Sequence, residues 1–539
     1  MTSPASSMPD SRLRQGSGFV FCLIIAAVFL LHVSLLRLPY FWDEAGYYIP
    51  ASRDLLLTGS FIPHSTPSNA HPPLVMAYLA GSWKLLGYSP LVTRSAMLLI
   101  SAFALLGVFR LARHIANTEV AIASTLCTGL YPVFFAQSTM AHVDLAAAGL
   151  TLWGLDNYLK RQMAAAALWF SLAVLAKETA ILAPVALLGW AVVCPYVNRA
   201  VRPPICLPEF RGRIPLLAPF VALILWYLYH YWRTGYVFGN PEFFRYNVQS
   251  TLHPLRILLA LAIRLWQMFG YLHLWVLTSL MGWAMTRPVL RDGECERPRI
   301  SLSIQFVFGA VALTYVAALA IVGGAVLARY MLTVVPLVAI MAISTLRRRV
   351  RVWRWLVLLV CLSFMAALFL NPPYGFSPED NLAYRDYISI HQDAEWFLEA
   401  HYPAARVLTA WPASDELSRT DLGYVKRPMR VVRLENFTME EISAAADERS
   451  RFDVALIFST KYEPPHALLE NWAVWQKIKA RFFGFHRDLP PAVVAQLLGG
   501  RTVFSEKRKG QWVAVVQLER VEDASSGVPY NQFAIRWQE

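Results

Sequence analysis

Apolar runs recur along almost two thirds of this chain, at about residues 20–38, 91–112, 120–135, 143–159, 163–176, 179–196, 215–232, 266–285, 302–322, 330–346 and 353–370. About eleven such runs approach the roughly 20 apolar residues that cross a bilayer. No soluble domain could bury them, since 56% of all residues are hydrophobic and the mean hydropathy is +0.41. The expected fold class is therefore an α-helical polytopic membrane protein. A net charge of +13 would suggest nucleic acid in a soluble protein. Here the basic residues gather between apolar runs, so topology explains them and no nucleic-acid partner is expected.

Alternate loops differ in charge. One set carries Arg12/Arg14, Arg110/Arg113, Lys160/Arg161, Arg199/Arg202/Arg211/Arg213, Arg287/Arg291/Arg297/Arg299 and Arg347/Arg348/Arg349/Arg351; the other is poorer in base and richer in aromatics. Positive charge marks the cytoplasmic side. Residues 1–18 thus read as a cytoplasmic tail, 19–370 as the transmembrane domain, and 371–539 as an extracytoplasmic domain of a plasma or inner membrane protein. The first run has no small-x-small cleavage site after it and reads as an uncleaved span. The six cysteines lie in or beside apolar runs or in loops read as cytoplasmic, and no disulfide framework is expected.

From Asn371 onward charges of both signs alternate with short apolar runs at 407–410, 454–458 and 512–518, with helix-like stretches at 393–400 and 472–482 between them. This pattern predicts a small soluble α/β domain. Between Pro254 and Leu265, Arg256 and Arg264 interrupt apolar sequence, which predicts either a helix lying in the membrane interface or the start of the eighth span.

The same topology sends most of the chemistry-bearing residues to one face. Asp43 and Glu44 follow the first span in Phe41-Trp42-Asp43-Glu44-Ala45-Gly46-Tyr47-Tyr48, and His71-Pro72-Pro73-Leu74 lies in the same loop. Asp144 opens the fourth span, Lys177-Glu178 separate the fifth and sixth, and Arg329-Tyr330 precede the tenth. Ionisable groups at a membrane face are costly, so those retained there are candidates for chemistry. Each also has a plain structural reading as helix cap, interfacial anchor or turn residue. No phosphate-binding loop or dinucleotide fingerprint occurs. An outward-facing enzyme would then take a lipid-linked phosphate donor, needing cations for the departing phosphate and a carboxylate to accept a proton. Lys177 and Arg329 are candidates for the first task and Asp43 for the second.

These motifs resemble those of the polyprenyl-phosphate-sugar glycosyltransferases of the GT-C class, in particular bacterial members of the protein O-mannosyltransferase and aminoarabinose-transferase superfamily. The resemblance runs over roughly residues 15–345 and rests on the acidic pair, His-Pro-Pro-Leu, Ala141-His142-Val143-Asp144, Ala176-Lys177-Glu178-Thr179 and Arg329-Tyr330 ending in Pro336. It implies catalytic roles for Asp43, Glu44 and Asp144, and substrate-binding roles for His71, Lys177, Glu178, Arg329, Tyr330 and Tyr47. It further implies a polyprenyl-phosphate-linked sugar donor, an inverting displacement, and an envelope glycolipid, polysaccharide or protein as acceptor. A divalent metal ion is left open, with Asp43, Asp144 and His71 as its donors and Glu44 beside the first. A transporter or flippase, or a non-catalytic envelope-assembly protein, remain as the alternatives.

Overall fold

A computed structural model describes residues 10–200, 211–241, 245, 251–464 and 472–519. It is that of a multi-pass membrane protein. Helices fill the chain up to residue 369, and a five-stranded sheet with its own helices follows. The first part contains α1 (Asp10–His32), α2 (Ile49–Thr58), α3 (Leu74–Leu86), α4 (Pro90–Ile115), α5 (Thr118–Leu130), α6 (Pro132–Gln137), α7 (Val143–Leu159), α8 (Met163–Ala176), α9 (Leu182–Ala200) and α10 (Ala218–Thr234). After them come α11 (Pro254–Phe269), α12 (Leu274–Met285), α13 (Leu302–Ile321), α14 (Val335–Arg349) and α15 (Trp353–Phe369). Among the described residues six helical stretches are long and apolar enough to cross a membrane, while α3, α5, α8 and α15 are apolar but shorter. Part of the basic loop from Arg199 to Arg213, Arg202 included, lies outside the described residues.

Several expected segments are divided. The run at 120–135 breaks at Tyr131, whose φ/ψ of −57°/125° ends α5 and starts α6 at Pro132. The run at 266–285 breaks at Leu272 and His273, both in the left-handed region (φ 44° and 67°). What precedes that break is α11, and its polarity is inverted relative to an interfacial helix. Arg256, Arg264 and Gln267 are buried, whereas Leu255, Leu258, Leu265, Trp266 and Phe269 are exposed. Charged side chains facing the bundle with apolar ones outside is the arrangement hydrocarbon favours. The expectation of no disulfide is corrected at Cys194, which is disulfide-bonded; spacing along an apolar run does not report which sulfurs meet.

The C-terminal part is built on α16 (Ala383–His401), β3 (Arg406–Ala410), α17 (Ala413–Ser418), β4 (Arg430–Leu434), α18 (Met439–Asp447), β5 (Val454–Phe458), α19 (Ala473–Phe483), α20 (Pro491–Leu498), β6 (Gly500–Arg508) and β7 (Gln511–Leu518). A two-stranded ribbon, β1 (Arg291–Asp292) and β2 (Cys295–Glu296), lies earlier in a loop. The main sheet has the order β4-β3-β5-β7-β6, parallel across β4, β3 and β5 and antiparallel from β5 onward. One apolar core joins this sheet to the loop after α1: Tyr40, Phe41, Ala45 and Tyr48 belong to the same cluster as Tyr384, Tyr387, Val407 and Phe458. The sheet domain is therefore a wall of whatever site that loop builds.

Candidate active site

The loop after α1 is held by Glu44, not by Asp43. Glu44 is wholly buried and accepts from Arg94 Nη1 (2.6 Å) and Nη2 (2.9 Å), from the Phe41 amide (2.9 Å) and from the Ala141 amide (2.6 Å). Arg94, near the start of α4, also donates to the carbonyls of Pro39 and Thr139, and so ties three segments together. With the Glu44 side chain pinned inward, Asp43 points elsewhere, as neighbours on a helical turn must. Trp42 is left-handed (φ 47°), a strained state for a non-glycine residue. Gly46 matters for a different reason: a Cβ there would lie 2.7 Å from the indole of Trp411, so only glycine lets the C-terminal domain approach this closely.

Arg329 is the hub. It sits in the turn Ala328–Met331 between α13 and α14, and its side chain is 3% exposed. Nη2 donates to Asp43 Oδ2, Nη1 to Glu379 Oε2, and Nε lies 3.3 Å from Asp144 Oδ2. Lys177, capping the C-terminus of α8, donates to Asp144 Oδ1 at 2.5 Å and lies 3.8 Å from the centre of the Tyr330 ring. Four residues that the sequence places over nearly three hundred positions thus share one pocket. Asp43 is its open member, with a side chain 33% exposed against 3% for Asp144 and Glu379.

Charge in this pocket is unbalanced. Asp43, Asp144 and Glu379 face two cations, and Asp380 adds a fourth acid that accepts from the Tyr271 hydroxyl at 2.6 Å. Burial opposes ionisation of Arg329, but Glu379, Asp43 and Asp144 outweigh it and hold the guanidinium well above its ordinary range. Burial pushes the Glu379 carboxyl up to about 8 against the pull of Arg329, and it raises Asp380 to about 7. At neutral pH a proton on this acidic pair offsets part of the excess.

The donors for a divalent cation differ from the trio expected. Ligand atoms of Asp43, His142 and Glu379 lie within 4.8 Å of one another, and Glu379 Oε1 has no hydrogen-bond partner, a set suited to a borderline metal ion. His71 instead places Nδ1 2.9 Å from Glu178 Oε2, and Asp144 is taken by Lys177. The Arg329 guanidinium already contacts Asp43 Oδ2 and Glu379 Oε2, so a cation there would share those two carboxylates with it.

Two comparisons bear on this geometry. Residues 70–232 match the family described as dolichyl-phosphate-mannose-protein mannosyltransferase. Two crystal structures of ArnT from Cupriavidus metallidurans, one apo and one bound to undecaprenyl phosphate, superpose with TM-scores of 0.53 and 0.50 at 14% identity, covering 93% of this chain and 98% of theirs. The chain has the GT-C glycosyltransferase fold. The apo oligosaccharyltransferase of Archaeoglobus fulgidus aligns more loosely, at TM-score 0.45 and 13% identity over 92% of this chain and 74% of its own. No curated protein matches by sequence.

Within this GT-C fold the remaining expected residues form a rim. Tyr47 and Tyr48 pack on His71 with ring centres 6.1 and 6.0 Å away, and Tyr48 also faces His142 at 5.7 Å. Tyr330 presents its ring to Lys177 on the pocket side and to Arg264 at 5.4 Å. Three residues at this cluster are not among those the sequence assigned a site role. Glu379 lies just past the last apolar run, where its neighbour Asp380 makes it look like ordinary surface charge. His142 stands out in the sequence only as a neighbour of Asp144. Arg264 carries the clearest signal, a lone cation in an apolar helix. It is fully buried and donates Nη1 to Gln267 (2.8 Å) and to the Leu327 carbonyl (2.7 Å), while among the described residues Nε and Nη2 have no hydrogen-bond partner.

Proposed function

We propose that the chain is an integral membrane glycosyltransferase that moves a single sugar from a polyprenyl-phosphate donor to an envelope acceptor on the outer face of the membrane. The observation that carries this is the cluster in which Asp43, Asp144 and Glu379 meet Arg329, Lys177 shares Asp144, and one carboxylate stays open. The likeness to an ArnT structure bound to undecaprenyl phosphate over 93% of this chain supports the class of donor.

Asp43 accepts the proton of an acceptor hydroxyl as its oxygen attacks the anomeric carbon; the bond to the phosphate oxygen breaks, and polyprenyl phosphate leaves with the electron pair. The configuration inverts, because no side chain intervenes covalently. Arg329, Lys177 and the unspent nitrogens of Arg264 meet the charge that develops on the phosphate. Asp144 holds Lys177 and Arg329 at their spacing. Asp43, His142 and Glu379 would hold a divalent ion, which would supply further positive charge to offset that of the departing phosphate. Glycolipid, polysaccharide and protein acceptors all offer the hydroxyl this scheme needs. A deletion strain should accumulate carrier-linked sugar and lose it from one envelope glycan, with rescue by the wild-type gene but not by Asp43→Asn. An unchanged carrier pool with unchanged glycans refutes the assignment.

A further inference from the structure

A second cluster lies in the C-terminal domain, apart from the Arg329 pocket. His391 and Glu395 stand four residues apart on one face of α16, and Glu416 reaches them from α17. All three are fully buried. His391 Nδ1 is 2.8 Å from Glu416 Oε2 and 4.0 Å from Glu395 Oε1, and the three ligand atoms lie within 4.8 Å of one another. Among the described residues His391 is the only base paired with either glutamate. Among the described residues neither oxygen of Glu395 accepts from a donor group, nor does Glu416 Oε1, and the buried Tyr387 hydroxyl and Ser414 Oγ nearby in sequence are likewise unmatched.

Two carboxylates without a counter-charge are not sustained in a dry interior. Besides a proton on His391 itself, two neutralisers fit: a proton shared between the glutamates, or a cation among all three side chains. Burial, with Glu416 beside it, does hold the Glu395 carboxyl well above its usual range. Yet a shared proton engages Glu416 Oε1 and one Glu395 oxygen, Glu416 Oε2 being already taken by His391, and leaves the second Glu395 oxygen unmatched; a cation takes a lone pair from each of the three side chains. We propose that His391, Glu395 and Glu416 hold a divalent transition-metal ion, with zinc the best match to one imidazole nitrogen and two carboxylate oxygens. Bonds of about 2.0–2.2 Å in a tetrahedral site put ligand atoms roughly 3.3–3.5 Å apart, inside the spread of separations found here.

The ion would be structural. Its three ligand residues are buried, the second Glu395 oxygen is the donor left for the fourth position, and the ion pins α16 to α17 directly behind the Asp43 loop. Tyr387 stacks on the His391 ring at 3.9 Å and meets Phe41 and Trp42 edge-on at 5.2 and 5.8 Å, while Trp411, in the turn before α17, packs on Trp42 at 5.1 Å. The inference does not depend on sugar transfer, and its test needs no substrate.

The full-length protein is purified in detergent with zinc present, dialysed, and analysed for metal content and thermal midpoint. Wild type is expected to retain one equivalent at this site, to melt lower once stripped by a strong chelator, and to recover on adding zinc. Glu395→Gln mimics a protonated glutamate, so it separates the two neutralisers. It should lose one equivalent and no longer respond to chelator or zinc, whereas Asp43→Asn keeps the equivalent held by His391. Zinc-edge absorption should show nitrogen and oxygen neighbours without sulfur. A wild type that binds no metal overturns the proposal, as does a Glu395→Gln that keeps its metal or melts as high as zinc-loaded wild type. If Glu395→Gln does not fold, the metal content and chelator response of Asp43→Asn, in which the other candidate cation site is broken, decide.

Discussion

Asp43 and Glu44 are adjacent acids with separable jobs, and paired substitutions distinguish them quantitatively. Glu44→Gln retains shape but removes the charge that meets two nitrogens of Arg94 and two backbone amides. One amide oxygen cannot replace two carboxylate oxygens, and the new amino group faces donors. Breaking one side of a buried ion pair costs about 3–5 kcal/mol. Against a total stability of about 5–15 kcal/mol, this variant should melt far lower in detergent or reach the membrane in reduced amount. Its activity per folded molecule should fall only modestly. Asp43→Asn removes a partly exposed charge whose ion-pair partner, Arg329, keeps Asp144 and Glu379. Its thermal midpoint should stay near wild type while turnover drops by about 10²–10⁴, the usual contribution of a positioned base. The assay is transfer of labelled sugar from the lipid-linked donor, normalised to monodisperse protein. A stable, inactive Glu44→Gln together with an active Asp43→Asn would refute the division of roles.

Two further substitutions test the electrostatics. The Glu379 carboxyl has an ordinary pKa of 4.5 and stands at about 8 when folded, so the folded state binds more protons between these limits. Its contribution to stability is therefore lost as pH rises from about 4.5 to about 8, with a slope of at most about 1.4 kcal/mol per pH unit. Glu379→Gln should flatten that decline in a thermal-melt series against pH, and an unchanged slope would show that the proton resides elsewhere. Arg264→Gln removes a buried cation with two idle nitrogens; it should raise the donor KM several-fold with little loss of stability, and an unaltered KM would exclude Arg264 from the phosphate site.

The membrane architecture is legible because hydrocarbon imposes a length and a polarity that survive in composition. Asp43, Asp144, Lys177 and Arg329 are legible for a related reason: ionisable groups at the ends of apolar runs, on one set of alternate loops, must meet water or one another at the same end of the bundle. Glu44 looks equivalent to Asp43 because sequence adjacency hides the turn that points them apart. The sheet shows the same divide. Its inner strands β3, β5 and β7 are apolar runs that stand out from the surrounding sequence. The edge strands β4 and β6 carry Arg430, Arg433, Arg501, Glu506, Lys507 and Arg508, and read as loop. Glu379 and the His391 cluster depend on pairings that cross between segments or elements, which no local pattern announces.

The pairing of Arg329 has a consequence for the order of events. Each of its nitrogens already faces a carboxylate, so a donor phosphate must displace one of them to be held. Asp144 is also bound by Lys177, and Glu379 is walled in at 3% exposure. Asp43, one-third exposed and with no described partner besides Arg329, is the cheapest to release. Arrival of the phosphate would then free the base, so that a proton acceptor is exposed only when a sugar is in place. It follows that Asp43→Asn removes a competitor for the guanidinium. It should bind polyprenyl phosphate more tightly than wild type, even as turnover collapses. A charge pair near a protein surface is worth a few kcal/mol before screening, so part of that gain, on the order of several-fold in Kd, is what a direct binding measurement would read. Weaker binding by Asp43→Asn would mean that Asp43 supports the donor instead of yielding to it, and the coupling between donor arrival and base release would have to be abandoned.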